Sequence, residues 1–389
     1  MIDLSWYTIP SGVIITLFGF MWYILFLRSL FFKVTLEKEL PSPKISILTA
    51  CRNEEKVVCN LIRDIKNQTY PNWEFLICVN NTTDRTYEVA LREAGKDKRI
   101  KIFNHNPSEI GKAPALNYIL NKARGDVILE FDTDNRIKPL YLEKLSKYFM
   151  DKKINAVQTV IKALNNKKNF LTKMQDIEFI VFCKLFNKGR RNYGAGIGGT
   201  GFAIRSKLLK KLNGWNNELV EDFDLFIRLQ KKNIQVTYAN NIIVYDEKPE
   251  HLSDLIKQRG RWIKGHLNVM MKNLNFSKNP LKLKFWLDLT YLTAPISVPL
   301  MVSHLVLFYI YLLGGNKFIT YGYFPISFWI ISVIFFMVML ATILWKEERS
   351  YLPLIPLYLF VFTYHWMIVF FEALKVQSWA DSKTIHKGI

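Results

Sequence analysis

Apolar and polar positions divide the chain into two kinds of sequence. Ile9 to Leu27 runs without a charge, preceded by Trp6 and Tyr7 and followed by Arg28, Lys33 and Lys38. Its length fits a membrane span, and the basic flank predicts cytosolic sequence after it, with the N-terminus outside. A secretory signal would carry positive charge before its apolar run rather than after it. Three more apolar stretches, Leu289–Leu313, Phe318–Trp345 and Tyr351–Phe371, crowd the C-terminal third. Lys346 and Arg349 fit a cytosolic loop. The last stretch contains Pro353, Pro356 and His365 and ends in Glu372 and Lys375. That pattern predicts a segment that lies in the interface or re-enters, returning the tail to the cytosol; the competing reading is a plain fourth span with the tail outside.

The sequence between these blocks alternates strand-like and helix-like runs. Lys44–Ala50, Trp73–Val79, Ile100–Phe103 and Val127–Phe131 read as strands, and Val57–Asn67, Asp84–Ala94 and Ala113–Lys122 as helices. Such alternation predicts βαβ units and a mainly parallel sheet, with ligands beyond the carboxyl ends of the strands. Polar clusters fall at those ends: Cys51 to Glu54, Asn80 to Asp84, and Asp132 to Asp134.

Composition narrows the function. The 389 residues are 50% hydrophobic, too many for a disordered chain, yet the net charge is +20. Apolar segments in a membrane, with basic ones facing an anionic leaflet or substrate, reconcile the two. Nucleic acid would also explain the charge, but the apolar runs argue against it. The four cysteines show no C-x-x-C spacing, which argues against zinc and for reduced thiols in a cytosolic domain.

Four groups could carry chemistry. Asp132-Thr133-Asp134 puts two carboxylates beyond a buried strand, an arrangement suited to Mg2+ or Mn2+ together with substrate phosphates, or alternatively to a solvated turn. Gly111-Lys112 opens a helix and could cradle a phosphate. Glu221-Asp222 follows the glycine-rich stretch Gly194–Gly201; it could supply a general base or merely cap a helix, while the glycines would admit close approach of a sugar. Gln258-Arg259-Gly260-Arg261-Trp262 lies on a basic amphipathic segment that could rest on a membrane, or bind a diphosphate through Arg261 and a sugar face through Trp262.

In their order, DTD at 132–134, VED at 220–222 and QRGRW at 258–262 resemble the processive, membrane-integrated family 2 glycosyltransferases, such as cellulose, chitin, hyaluronan and poly-N-acetylglucosamine synthases. The resemblance spans about residues 44–265. It implies an α/β fold, a GT-A (Rossmann-like mixed sheet) cytosolic domain inserted between transmembrane helices, in a multi-pass protein of the plasma membrane. It implies Asp222 as catalytic base. Cys51, Arg52, Glu54, Asn80, Lys112, Asp132 and Arg261 would bind the nucleotide sugar, and Glu221, Gln258 and Trp262 the acceptor. Asp134 would hold Mg2+ or Mn2+, and Trp379 and Thr384 would gate the donor. The implied partners are a nucleotide-sugar donor, a saccharide or lipid-linked acceptor and the lipid bilayer, with no nucleic acid. Asn80 stands where the family usually has aspartate, and Val220 where it has threonine.

The expected organisation is a transmembrane helix and linker over 1–40, the catalytic domain over 41–250, interface helices over 251–285, transmembrane or interface helices over 286–374 and a tail over 375–389. The expected reaction is inverting transfer from a nucleotide sugar, UDP-linked, to a growing polysaccharide, forming a β linkage. A non-processive enzyme making a glycolipid is the alternative, and a transporter with a nucleotide-binding domain a distant one.

Overall fold

The computed structural model describes residues 2–3, 5–31, 34–36, 40–105, 111–273, 280–293, 319–320, 326–377 and, between 300 and 313, all but 301, 305, 308, 311 and 312. A two-residue strand β1 (Ile2–Asp3) pairs with β10 (Ile319–Thr320). Eight strands form the main sheet: β2 (Ile45–Cys51), β3 (Trp73–Val79), β4 (Ile100–Asn104), β5 (Val127–Glu130), β6 (Arg136–Ile137), β7 (Ala156–Ala163), β8 (Phe202–Arg205) and β9 (Val236–Asp246). Their order is β4-β3-β2-β5-β8-β7-β9-β6.

The first half is parallel, as the alternation predicts. β3 is buried at all seven positions, which is what a strand covered on both faces requires. α2 (Val58–Lys66), α3 (Thr86–Ala94) and α4 (Lys112–Leu120) fall within two residues of their predicted ranges. Beyond β5 the sheet turns mixed. β8 runs antiparallel to both β5 and β7, while β7 and β9 are parallel with a register shift between Thr159 and Val160. A parallel sheet alone does not describe it, because β8 enters from the glycine-rich loop instead of from a crossover helix.

The remaining helices flank this sheet: α5 (Tyr141–Phe149), α6 (Phe170–Ile180), α7 (Ser206–Lys211), α8 (Glu221–Lys231) and α9 (Leu252–Lys272). α6 continues as a π-helical turn, Val181–Asn187.

Helix α1 (Ser5–Leu30) contains the predicted N-terminal run and leaves Ile9, Val13, Leu17 and Phe20 exposed. Its end docks on the sheet domain, where Arg28 donates to the Gly189 carbonyl at 2.8 Å and lies over the Tyr193 ring. Among the described residues, α1 is the one helix long and apolar enough to cross a membrane. α10 (Leu283–Leu292) and α11 (Ile326–Glu347) follow the catalytic sequence. The predicted interfacial stretch is broken: α12 (Ile355–Phe360) follows a 3-10 turn, and a bend of 41° separates that pair from Phe362–Ala373, which ends in α13 (His365–Ala373). Buried pairs fasten this part to the sheet domain. Arg190 meets Asp288 of α10 with neither side chain exposed, and Tyr351 donates to Asp176 at 3.0 Å.

Candidate active site

The carboxyl ends of β2, β3 and β5 open into a cleft of about 380 Å3, within the range of small-molecule sites. Asp132 and Asp134 stand on the turn after β5. The Asp132 N–H donates to Asn135 Oδ1 and to Thr200 Oγ1, which ties this turn to the glycine-rich loop. Lys112, at the start of α4, reaches across the same space. Its Nζ lies 2.7 Å from Asp132 Oδ1, 2.9 Å from Glu130 Oε1 and 3.3 Å from Glu221 Oε1, and donates to the Gly199 carbonyl at 2.8 Å. Burial opposes its charge, but Asp132, Glu130 and Glu221 outweigh burial and hold the ammonium well above its ordinary pKa.

Glu221 and Asp222 open α8, where the helix dipole favours acids. Burial and the neighbouring Glu221 push the Asp222 carboxyl up to about 7, against the pull of Lys112 and Arg261. A carboxyl poised there can take a proton near neutral pH. Arg261, on α9, donates to the Leu219 carbonyl at 2.8 Å, which fixes its guanidinium beside this acid pair. Burial lowers its pKa while Glu221, Asp222 and Asp132 oppose.

Asp134 is buried at the other side of the DTD turn. The Glu247 N–H donates to its Oδ2 at 3.0 Å, and burial together with a side-chain hydrogen bond to Asp246 raises it well above the usual carboxylate range. Two facing carboxyls, with Lys248 Nζ 2.5 Å from Asp246 Oδ2, suit a divalent cation that prefers hard oxygen ligands. Among the described residues no three His, Cys, Asp or Glu side chains gather closely enough to hold a metal by themselves.

Arg52, Glu54, Asn80, Gln258 and Trp262 also line the cleft. Asn80 donates to the Gly111 carbonyl at 3.1 Å, so it braces the turn before Lys112. Cys51 stands apart: it is buried, and its Sγ accepts from Thr133 Oγ1 at 3.2 Å beneath the DTD turn. Trp379 and Thr384 lie outside the described residues.

The structure adds residues that the sequence reading passed over. Glu130 is fully buried, takes the Trp215 indole N–H at 3.1 Å, and is pushed up to about 8, chiefly by burial. A lone acid inside the apolar run VILEF was its signal. Asp246 ends β9, and Trp366 reaches the cleft from α13. Neither has a local signal, because both arrive through tertiary packing.

Residues 42–265 match the family described as "Glycosyltransferase like family 2". The probable glycosyltransferase YdaM of Bacillus subtilis (strain 168) is 29% identical over 400 residues, covering 97% of this chain and 92% of that one. A beta-monoglucosyldiacylglycerol synthase of Nostoc sp. is 30% identical over 230 residues, or 57% of this chain and 49% of that one, so the match spans about half of the synthase. Among solved structures, a mannosyltransferase from Pyrobaculum calidifontis, in complex with GDP-Man and Mn2+, covers 94% of this chain and 97% of its own at a TM-score of 0.62 and 17% identity. The fold is therefore GT-A-like, and the chain belongs to glycosyltransferase family 2.

Proposed function

We propose that the protein transfers a sugar, with inversion, from a UDP-linked donor to a growing polysaccharide, at a multi-pass position in the plasma membrane with the catalytic domain cytosolic. The observation that carries this reading is the convergence of Asp222, Lys112, Arg261 and Asp134 on one cleft from four separate elements. Asp222 takes the proton of the acceptor hydroxyl. The freed oxygen attacks the anomeric carbon from the face opposite the diphosphate, whose C–O bond breaks, so an α-linked donor gives a β linkage. Lys112 and Arg261 hold the leaving diphosphate as negative charge develops on it. Arg52, Glu54 and Asn80 border the nucleotide, and Glu221, Gln258 and Trp262 border the acceptor. Asp134 with Asp246 would hold Mg2+ or Mn2+, which would supply Lewis-acid neutralisation of the diphosphate.

The exposed apolar face of α1 and the net charge of +20 support a membrane location beside an anionic leaflet. A second reading, transfer to a lipid acceptor, is favoured by the 30% identity to the glucosyldiacylglycerol synthase. The test is a panel of nucleotide sugars with purified protein, scored for nucleotide release and for product size. Release without a lengthening product selects the glycolipid reading; no release with any donor overturns both.

A further inference from the structure

The acceptor end of the cleft has a wall that the four sequence motifs do not account for. Arg259, the residue inside QRGRW that carries no role in the mechanism, is buried. Its guanidinium lies 4.0 Å from the Trp262 ring centroid, 5.6 Å from that of Phe179 and 5.8 Å from that of Trp366, and it donates to Glu178 Oε2 at 2.6 Å. Two indoles from different helices, α9 and α13, therefore both lie near one ion-paired cation, and both line the cleft. The approach of α13 depends on Gly260: a β-carbon there would stand 3.0 Å from Glu372 Cγ and 3.4 Å from the Ala373 nitrogen. Val369 and Ala373 of α13 cluster with Ile263, and Trp366 packs against this cluster where it lines the cleft.

We propose that Trp366 is a specificity-determining residue of the acceptor subsite, completing with Trp262 an aromatic wall for the acceptor's pyranose ring, with the ion-paired Arg259 holding the two indoles near each other. This rests on the glycosyltransferase reading of the cleft and deepens its acceptor side. The chemistry fits a sugar ring, whose C–H faces pack on indole faces while its hydroxyls reach charged groups. Glu178 and Arg259 present those groups at the same wall. A pyranose can come from an oligosaccharide end or from a glycolipid headgroup, and both share the ring.

The experiment compares Trp366→Ala and Trp366→Phe with the unchanged full-length protein. Acceptors are a β-glucan trisaccharide, n-octyl β-D-glucoside, and dioleoylglycerol in detergent micelles, which has no ring. Nucleotide binding and acceptor-independent donor hydrolysis are measured alongside. The expected result is a roughly tenfold or greater rise in KM for the ring-bearing acceptor that the enzyme uses, partial recovery with phenylalanine, and unchanged donor KM and hydrolysis. Response of the trisaccharide alone assigns the ring to a saccharide end, and response of the glucoside alone to a glycolipid headgroup. An unchanged acceptor KM, a rise equal for donor and acceptor, or transfer to dioleoylglycerol alone would overturn the proposal. Loss of nucleotide binding in the unchanged protein would instead defeat the reading of the cleft. Should the alanine variant not fold, Trp366→Leu removes the π face while keeping most of the volume and carries the same expectations.

Discussion

Gly199 lies against Asp222: a β-carbon at residue 199 would stand 3.3 Å from Asp222 Oδ2. The same glycine has a φ of +75° and gives its carbonyl to Lys112. One residue of the glycine-rich loop thus sets both the room around the proposed base and the aim of the lysine. Gly199→Ala is expected to lower transfer more than it lowers stability, with a stability loss of about 1 kcal/mol from the left-handed backbone. Donor hydrolysis and thermal denaturation, measured on the same preparation, separate the two effects.

Asp222→Asn should keep donor binding and lose transfer by roughly a hundred- to ten-thousand-fold, because a carboxamide does not accept a proton at neutral pH. The pH profile adds a signed expectation. With the carboxyl pushed up to about 7, the basic form dominates above that pH, so kcat/KM should fall as pH drops through about 7. Residual turnover above about a tenth would assign the base elsewhere.

The strands of the first half and the acids at 132–134 and 221–222 were legible because each sits in a local pattern: an alternating run, an apolar strand, a helix start. The ranges of α2 to α4 follow from the same periodicity. Glu178, Asp246 and Trp366 were not legible. Each reaches the cleft through tertiary packing: Glu178 on α6 and Asp246 at the end of β9 beside β7, and Trp366 where α13 lies against α9 at Gly260. Cys51 shows the converse: the family resemblance pointed it to the nucleotide, and its side chain packs inward under Thr133.

Removing the Asp134 carboxylate should abolish metal-dependent nucleotide binding. Asp134→Asn preserves size and an acceptor oxygen for the Glu247 N–H, so folding should survive. Calorimetric titration of UDP with and without Mn2+ checks this; metal-enhanced binding equal to that of the unchanged protein would place the ion elsewhere.

Arg261→Lys keeps the charge and loses the planar fork that both grips Leu219 and faces the acid pair. The expected loss of kcat/KM is roughly ten- to a hundredfold, with unchanged membrane insertion. Unaltered kinetics would return α9 to a purely surface-binding role.

Arg190→Met should destabilise by about 1–3 kcal/mol, since it removes the buried ion pair with Asp288 and the bonds to the Gly194 and Leu287 carbonyls, while Lys284 stays beside Asp288 as its remaining partner. Denaturation in detergent of this variant and of Arg190→Met combined with Asp288→Leu checks the assignment: the double variant should recover much of the loss.

That buried pair also bears on where the molecule can be cut. The family match stops at residue 265, yet Asp288, Tyr291, Tyr351 and Trp366 all lie beyond it and all touch the sheet domain or its cleft. A truncation ending there would strand Arg190 in an apolar interior, strip the cover from Gly260 and leave one side of the cleft missing. The edge of the family match is not a mechanical seam. A shortened enzyme made for solubility should trade a greasy surface for an unpaired interior charge, so any division of this chain should keep α10 to α13 with the sheet domain.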